Sequence, residues 1–404
     1  LELLGSRLCA PYFGYSIYVW GNLIGLIISA LAIGYYWGGW LEKKNSDGNW
    51  PTRIYLGLSL YLLFDLLTYK IILDGLAGWS VVWGSLVATL MLFLGPMVLL
   101  AAISPLAVSE LARNKKAGHS AGLVYGIGTA GSLVGVFLTV FVLIPNYGSR
   151  AALFSCLILA LGVLAGLSFK KKNKKKILLI GFVLAVVGLF GLRSPALPKD
   201  VIFETESVYN QIRLVDTGEN ISLVLNSQNA MSRISIFPKE KITATTGLFF
   251  GLFNLGPLLN SGQSILILGM GGGATLKQHE DLFPAAQIDA VEIDPKIIAV
   301  ARDYFSVHPS AHTNIIEADA RPYLRTTRKN YDVIELDLYH GGPYVLFYVI
   351  TKEFFQDTLD RLNSKGILFM NIFSFGPHGI GGPILDTMKS VYPSVFTIRK
   401  KSSL

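Results

Sequence analysis

The run Gly269-Met-Gly-Gly-Gly-Ala274 stands between an apolar stretch, Ser264 to Leu268, and a helical pattern, Thr275 to Leu282. Glycines in that place let the backbone approach a ligand, and the helix that follows leaves N–H groups unpaired at its start. Alone, such a loop is a weak signal. It gains weight from the next apolar stretch, which ends in Val291-Glu-Ile-Asp294. Glu292 there lies about 20 residues beyond the loop, where an acid at the end of a strand accepts both hydroxyls of a ribose. Asp319, in Glu317-Ala-Asp-Ala-Arg321, ends the following stretch, and Asp337 ends the one after. Four strand ends on one edge of a parallel sheet, each with a glycine cluster or an acid, describe a nucleoside crevice. The competing reading makes the acids ordinary helix N-caps.

Such a crevice needs βαβ units to build it, and the pattern supplies them. Parallel strands are predicted at Ser264 to Leu268, Ile288 to Glu292, Asn314 to Glu317, Val333 to Leu336 and Ile367 to Asn371. A helical stretch, Thr243 to Leu255, precedes them. Before it, Gln211 to Val215 and Ile221 to Leu225 alternate apolar and polar residues around a turn at Asp216 to Asn220, a β-hairpin signature with a third strand near Ser232 to Phe237. Towards the end of the chain a helix near Pro383 to Val391 and a strand near Ser394 to Arg399 are predicted.

The first half is of another kind. The 404 residues are 51% hydrophobic and only 15% charged, with a mean hydropathy of +0.48, too apolar for one ordinary soluble enzyme. The excess lies before Arg193, in runs near the roughly 20 residues that cross a bilayer. About seven spans are predicted: Leu1 to Phe13 (the end of an incomplete first), Ile17 to Trp40, Ile54 to Leu76, Val81 to Leu106, Leu123 to Ile144, Ala151 to Phe169 and Ile177 to Leu192. The domains read as 1–195 transmembrane, 200–240 β-hairpin subdomain and 241–404 α/β domain, with Ser194-Pro-Ala-Leu-Pro198 as the joint. Because the chain opens on Leu1 in a helical pattern and shows no clear closing strand, residues are expected to be missing at either end.

The net charge of +8 comes mainly from loops: Lys43, Lys44 and Arg53; Arg113, Lys115 and Lys116; and Lys170 to Lys176. Placed after every second span, these mark the cytoplasmic face of an integral membrane protein and are not a nucleic-acid surface. Seven spans then put the α/β domain outside the cytoplasm. Glu2, Arg7, Asp65 and Lys70 lie at membrane depth, where charged groups face the bundle interior; Glu2 and Arg7 read either as a structural pair or as the lining of a path. Gly122, Gly126, Gly128, Gly131 and Gly135 predict close helix packing. Cys9 and Cys156 offer neither metal-ligand spacing nor a disulfide framework.

Several motifs carry a family resemblance. Glu206-Ser-Val-Tyr-Asn210, Gly269 to Gly273, Val291-Glu-Ile-Asp-Pro295, Ala318-Asp-Ala-Arg321 and Tyr331-Asp-Val-Ile-Glu-Leu-Asp337 resemble, in that order, the signatures of the spermidine synthases, over Glu204 to Asn371. The apolar half, with Glu2-Leu-Leu-Gly-Ser-Arg7, Ala10-Pro-Tyr-Phe-Gly14 and Ala130-Gly-Ser-Leu-Val-Gly135, is similar to a membrane region fused to such domains in prokaryotic proteins. The resemblance implies a Rossmann-like domain of the class I methyltransferase and spermidine synthase type behind a polytopic helical domain in a cell membrane. It also implies a pocket for S-adenosylmethionine, its decarboxylated form or methylthioadenosine, and no metal. Gly269, Gly271, Gly272 and Gly273 would form the backbone wall, Glu292 would hold the ribose, and Asp319 the adenine amino group. Asp337 would help deprotonate the attacking amine. Tyr209, His340 and Glu335 fall on the substrate side.

The departures bear on substrate. The resemblance expects an aspartate closing the Gly-rich loop, where this chain has Ala274, and an acid three residues after Asp337, where it has His340. Met231-Ser232 stands where a glutamine precedes a serine. A polyamine carries several positive charges, and losing two carboxylates weakens its site by several kcal/mol. Ordinary putrescine aminopropylation is therefore not expected. Glu335, an acid within an apolar strand and on the face of Asp337, either replaces a lost carboxylate or meets a base such as Arg321 or Arg325. Three functions stand side by side: a membrane-tethered transferase acting on a small amine or other acceptor, a degenerate extracytoplasmic module or accessory subunit beside other membrane proteins, and a transporter or sensor.

Overall fold

The computed structural model describes residues 1–44, 49–170, 197–226, 233–239, 249–260, 262–339, 345–372 and 379–398. The chain divides into two compact units, Leu1–Ala196 and Leu197–Leu404.

The first unit is helical: α1 (Glu2–Phe13), α2 (Ile17–Lys43), α3 (Trp50–Leu76), α4 (Val81–Thr89), α5 (Gly95–Ala112), α6 (Ala117–Leu138) and α7 (Ile144–Lys170). The α4–α5 and α6–α7 pairs are joined through π-helical turns, Leu90–Leu94 and Thr139–Leu143, so each pair runs on as one helix. Four of these helices are long and apolar enough to cross a membrane: Ile17–Lys43, Trp50–Leu76, Val81–Ala112 and Ala117–Phe169. Twenty-seven residues of helix rise about 40 Å, more than the roughly 30 Å of a hydrocarbon core. The predicted fifth and sixth spans are divided at Gly148 (φ 81°, ψ 170°), a non-helical backbone state that a side chain resists and that separates two helices at a kink. The predicted seventh span lies outside the described residues.

Among the described residues the glycine stripe on α6 meets no packing partner. A Cβ built on Gly122, Gly126, Gly128, Gly131 or Gly135 would meet nothing within 4 Å among the described residues. Close packing is instead the work of Gly34 and Gly38 on α2, where a Cβ would stand 2.5 Å from Val98 O and 2.4 Å from Ala102 O of α5. Spacing makes a small-residue stripe visible, but which helix meets it is tertiary. At one end of the bundle Ser109 Oγ donates to Glu42 Oε1 (2.7 Å), which brings the Lys43–Lys44 and Arg113–Lys116 clusters to the same end.

The second unit opens with an antiparallel meander, β1 (Val201–Glu206), β2 (Gln211–Asp216), β3 (Asn220–Leu225) and β4 (Arg233–Pro238), in that order. The predicted hairpin and third strand are β2, β3 and β4. The pattern does not announce β1, because only Val201 of its six residues is buried and its acids blur the alternation. After α8 (Leu255–Asn260) come β5 (Ser264–Leu268), α9 (Ala274–Leu282), β6 (Gln287–Glu292), α10 (Pro295–Phe305), β7 (Thr313–Glu317), α11 (Ala320–Thr326), β8 (Tyr331–Leu336), α12 (Lys352–Leu359), β9 (Leu362–Met370) and α13 (Gly381–Lys389). The strands form a parallel sheet in the order β7-β6-β5-β8-β9. Ile265 to Leu268 of the central strand are all buried, as a strand covered on both faces requires. No strand forms over Ser394–Ile398; Phe396 and Ile398 are exposed there and meet no sheet edge among the described residues.

Candidate functional site

Strand order reverses between β5 and β8, which places a crevice outside their carboxyl ends. Gly269, the residue after β5, has φ +90°, and a Cβ there would stand 2.4 Å from Asp337 O, so β5 and β8 meet backbone to backbone at the crevice floor. Gly271 and Gly273 also have positive φ, 55° and 85°. Gly272 donates its N–H to Ser235 Oγ (2.9 Å), and a Cβ on it would meet Ser235 Cβ at 2.9 Å. The meander's last strand thus braces the loop, and no side chain fits at that position. No residue from Gly269 to Ala274 carries a carboxylate.

Glu292 ends β6 directly below this loop. Its Oε2 accepts from Gly271 N–H (2.9 Å) and its Oε1 from Asp294 N–H (3.1 Å). Burial pushes its carboxyl up to about 7; the N–H groups of Gly271 and Asp294 oppose that rise. Each oxygen keeps a lone pair for a further donor. Asp294, fully buried, is used differently. It caps α10 through Lys296 N–H (3.0 Å) and receives Ser207 Oγ (2.5 Å) and Asn210 Nδ2 (2.9 Å). It pins the loop Glu206–Asn210, and with it Tyr209, to the end of β6.

Asp319 accepts Arg321 N–H (3.0 Å) and caps α11, so the N-cap reading holds for one of its oxygens. Burial, then the charge of Asp319 and the Tyr209 phenol, raise the Tyr348 phenol above its ordinary value. Asp337, just past β8, accepts Asn371 Nδ2 (3.1 Å), and Tyr339 holds the Asn371 carbonyl (2.7 Å). Burial pushes the Asp337 carboxyl up to about 6, Asn371 pulls it back, and Glu335 adds to the rise. The glycine loop, Glu292 and Asp337 therefore converge at the switch point, with Asp319 and Tyr209 at the end of the next strand and the loop pinned beside it. Sequence reading missed Asn371 and Tyr348. The only signal was that Asn371 closes the last parallel strand. His340 lies outside the described residues, as does Met231-Ser232.

Glu335 is neither a replacement carboxylate at the rim nor a partner of Arg321 or Arg325. It is 1% exposed and bonded to His279 of α9 (Glu335 Oε1 to Nε2, 2.6 Å). Arg321 donates instead to Tyr348 O (3.0 Å) and Arg325 to Asp357 (2.8 Å). Strand period explains the correction. Glu335 shares the face of Val333, which packs in the core with Leu276 of α9, whereas Ile334 and Leu336 face Ala320 and Leu324 of α11. Breaking this pair leaves a buried unpaired carboxyl, so His279→Leu is expected to cost about 3–5 kcal/mol, while His279→Leu with Glu335→Leu costs much less. Denaturant unfolding of the four proteins in the double-mutant cycle measures both.

A cleft of about 340 Å³ lined by Pro257, Leu258, Phe283 and Pro284 lies at the opposite edge of the sheet and offers no titratable side chain.

Residues 252–375 match the family model of the spermine/spermidine synthase domain. The polyamine aminopropyltransferase of Vibrio vulnificus is 31% identical over 211 residues, 48% of this chain and 65% of its own length. The human eEF1A lysine and N-terminal methyltransferase is 28% identical over 153 residues, 35% of this chain and 22% of its own. The chain thus spans less than two thirds of either relative. A crystal structure of spermidine synthase with the transition state analogue AdoDATO aligns over 48% of this chain and 64% of its own, at a TM-score of 0.38 and 18% identity. In its C-terminal part, behind a region of apolar helices, the chain carries a spermine/spermidine synthase domain.

Proposed function

We propose that the C-terminal unit binds an S-adenosyl-type nucleoside at the β5–β8 crevice and transfers an aminopropyl, methyl or related group from it to an amine. The observation that carries this reading is Glu292: a buried carboxylate at a strand end, fixed by two backbone N–H groups, with a glycine loop above it where no side chain fits. Its free lone pairs suit the two hydroxyls of a ribose. The relatives named above support an amine acceptor, since a polyamine, a lysine and an N-terminus all present one. When bound, the donor supplies a sulfonium-activated carbon. Asp337, held by Asn371, takes the proton of the attacking nitrogen, so that the N–C bond forms from a neutral amine as the C–S bond breaks. Asp319 would meet the base of the nucleoside, with Tyr209 and Tyr348 beside it. Ordinary putrescine is not the acceptor in this reading, because the glycine loop bears no carboxylate for a second ammonium.

A second reading, a degenerate extracytoplasmic module or accessory subunit in a cell membrane, is favoured by the basic clusters gathered at one end of the helical bundle. Location separates the two. Ser310 is exposed between α10 and β7. A Ser310→Cys variant probed with a membrane-impermeant maleimide should stay unlabelled in intact cells if the unit faces the cytoplasmic donor pool, and become labelled once cells are permeabilised. Equal labelling before and after would assign the unit to the second reading.

A further inference from the structure

Asp65 is the sixteenth of the 27 residues of α3, about 22 Å from its start and near the middle of a bilayer-length helix. It is 3% exposed, and its Oδ1 has no hydrogen-bond partner among the described residues. An uncompensated carboxylate in apolar surroundings is costly, and an intramembrane acid without a partner marks an ion or proton path more often than a packing device.

The surroundings are built for such a role. One turn before Asp65, the Tyr61 hydroxyl donates to Met91 O (2.6 Å), a carbonyl of the π-helical turn Leu90–Leu94. The Tyr61 ring occupies the space beside Gly95, where a Cβ would stand 2.3 Å away. α3 and the α4–α5 helix follow one another through a short turn and run in opposite directions, and the approaches of Gly57 to Leu99 and of Gly95 to Tyr61 put Asp65 level with Met91, about half a turn beyond Thr89. Just before that level a column of polar groups climbs α4: Asn22 Nδ2 donates to Ser85 Oγ (2.9 Å), Ser85 Oγ to Val81 O (2.6 Å), and Thr89 Oγ1 to Ser85 O (2.6 Å). Ser85 and Thr89 are buried, whereas Asn22 reaches the half-exposed end of the column. A π turn releases backbone carbonyls from the α-helical pattern, and such turns recur at functional sites.

We propose that Asp65 is an exchangeable monovalent-cation site within the helical bundle, loaded with a proton or a sodium ion through the column Asn22–Ser85–Thr89. Tyr61 and Tyr69, one turn to either side of Asp65 on α3, share its face, and Tyr69 has an interaction of its own. α4 and α5 bring no charged side chain before Glu110 at the far end. The inference is independent of the transfer reaction.

The test is labelling of the full-length protein in detergent with dicyclohexylcarbodiimide, which attacks protonated carboxyls in apolar surroundings, with the adduct mapped by mass spectrometry. An adduct at Asp65, absent in Asp65→Asn, is expected. Loss of the adduct in sodium chloride but not in choline chloride identifies sodium as the ion; loss only on raising the pH identifies the proton. An adduct indifferent to both, or none at Asp65 in folded protein, overturns the proposal. Thr89→Val keeps the volume and removes the hydroxyl; it is expected to slow the suppression, and an unchanged rate overturns the route.

Discussion

Asp337→Asn is expected to lower the transfer rate by roughly 10²–10⁴-fold, the usual contribution of a general base, while nucleoside affinity stays unchanged. The substitution keeps the shape of the side chain, and its amide oxygen can still accept from Asn371 Nδ2. Only the basic oxygen is lost. Because burial holds the wild-type carboxyl near 6, it is mostly ionised at neutral pH and mostly protonated a unit or more below. The rate should therefore rise with pH through about 6 and level off above it, and this limb should vanish in the variant. Release of methylthioadenosine or S-adenosylhomocysteine, followed against pH with a panel of amines, measures both effects. A variant that turns over as fast as the wild type would remove Asp337 from the chemistry, and a protein that binds nucleoside but turns over no amine at all would favour the module reading.

Much of this arrangement is legible in the sequence, and the failures share a cause. The inner strands β5, β6 and β8 announce themselves because both their faces are covered, and all five parallel strands end on or beside a glycine or polar residue where the chain leaves the core. Local chemistry of that kind can be read from one chain. Pairing between distant elements cannot. Period two places Glu335 on the face of Asp337, but that α9 covers this face, and so offers His279, depends on the packing of the layers. The α6 glycines show the same limit, since a stripe does not say which neighbour it meets. Asp319 shows a subtler limit: an acid at a strand end is both a cap for the next helix and a possible ligand, and the two uses draw on different oxygens of one carboxylate.

Glu292→Gln is expected to weaken methylthioadenosine binding by roughly 30–150-fold. A hydrogen bond to a charged group contributes about 1.5–3 kcal/mol against about 0.5–1.5 for a neutral one, so two ribose hydroxyls lose about 2–3 kcal/mol together. The amide also lacks an acceptor for one of the N–H groups of Gly271 and Asp294, so the loop is left with an unmatched donor as well. The same carboxyl predicts a pH dependence. Its value in the folded protein, about 7, lies above the ordinary 4.5, so the folded state holds its proton more tightly and the unit loses stability as pH rises from 4.5 towards 7. Nucleoside binding runs the other way. Only the ionised form accepts both hydroxyls, so affinity should climb with pH up to about 7 and then stay flat, and the ligand's stabilising effect should grow over the same interval. Calorimetry with methylthioadenosine across that range, on wild type and the Gln variant, reads both trends. A wild-type affinity indifferent to pH and equal to that of a folded Gln variant would reduce Glu292 to a brace for the glycine loop, and the search for a ligand would move to the helical half of the chain.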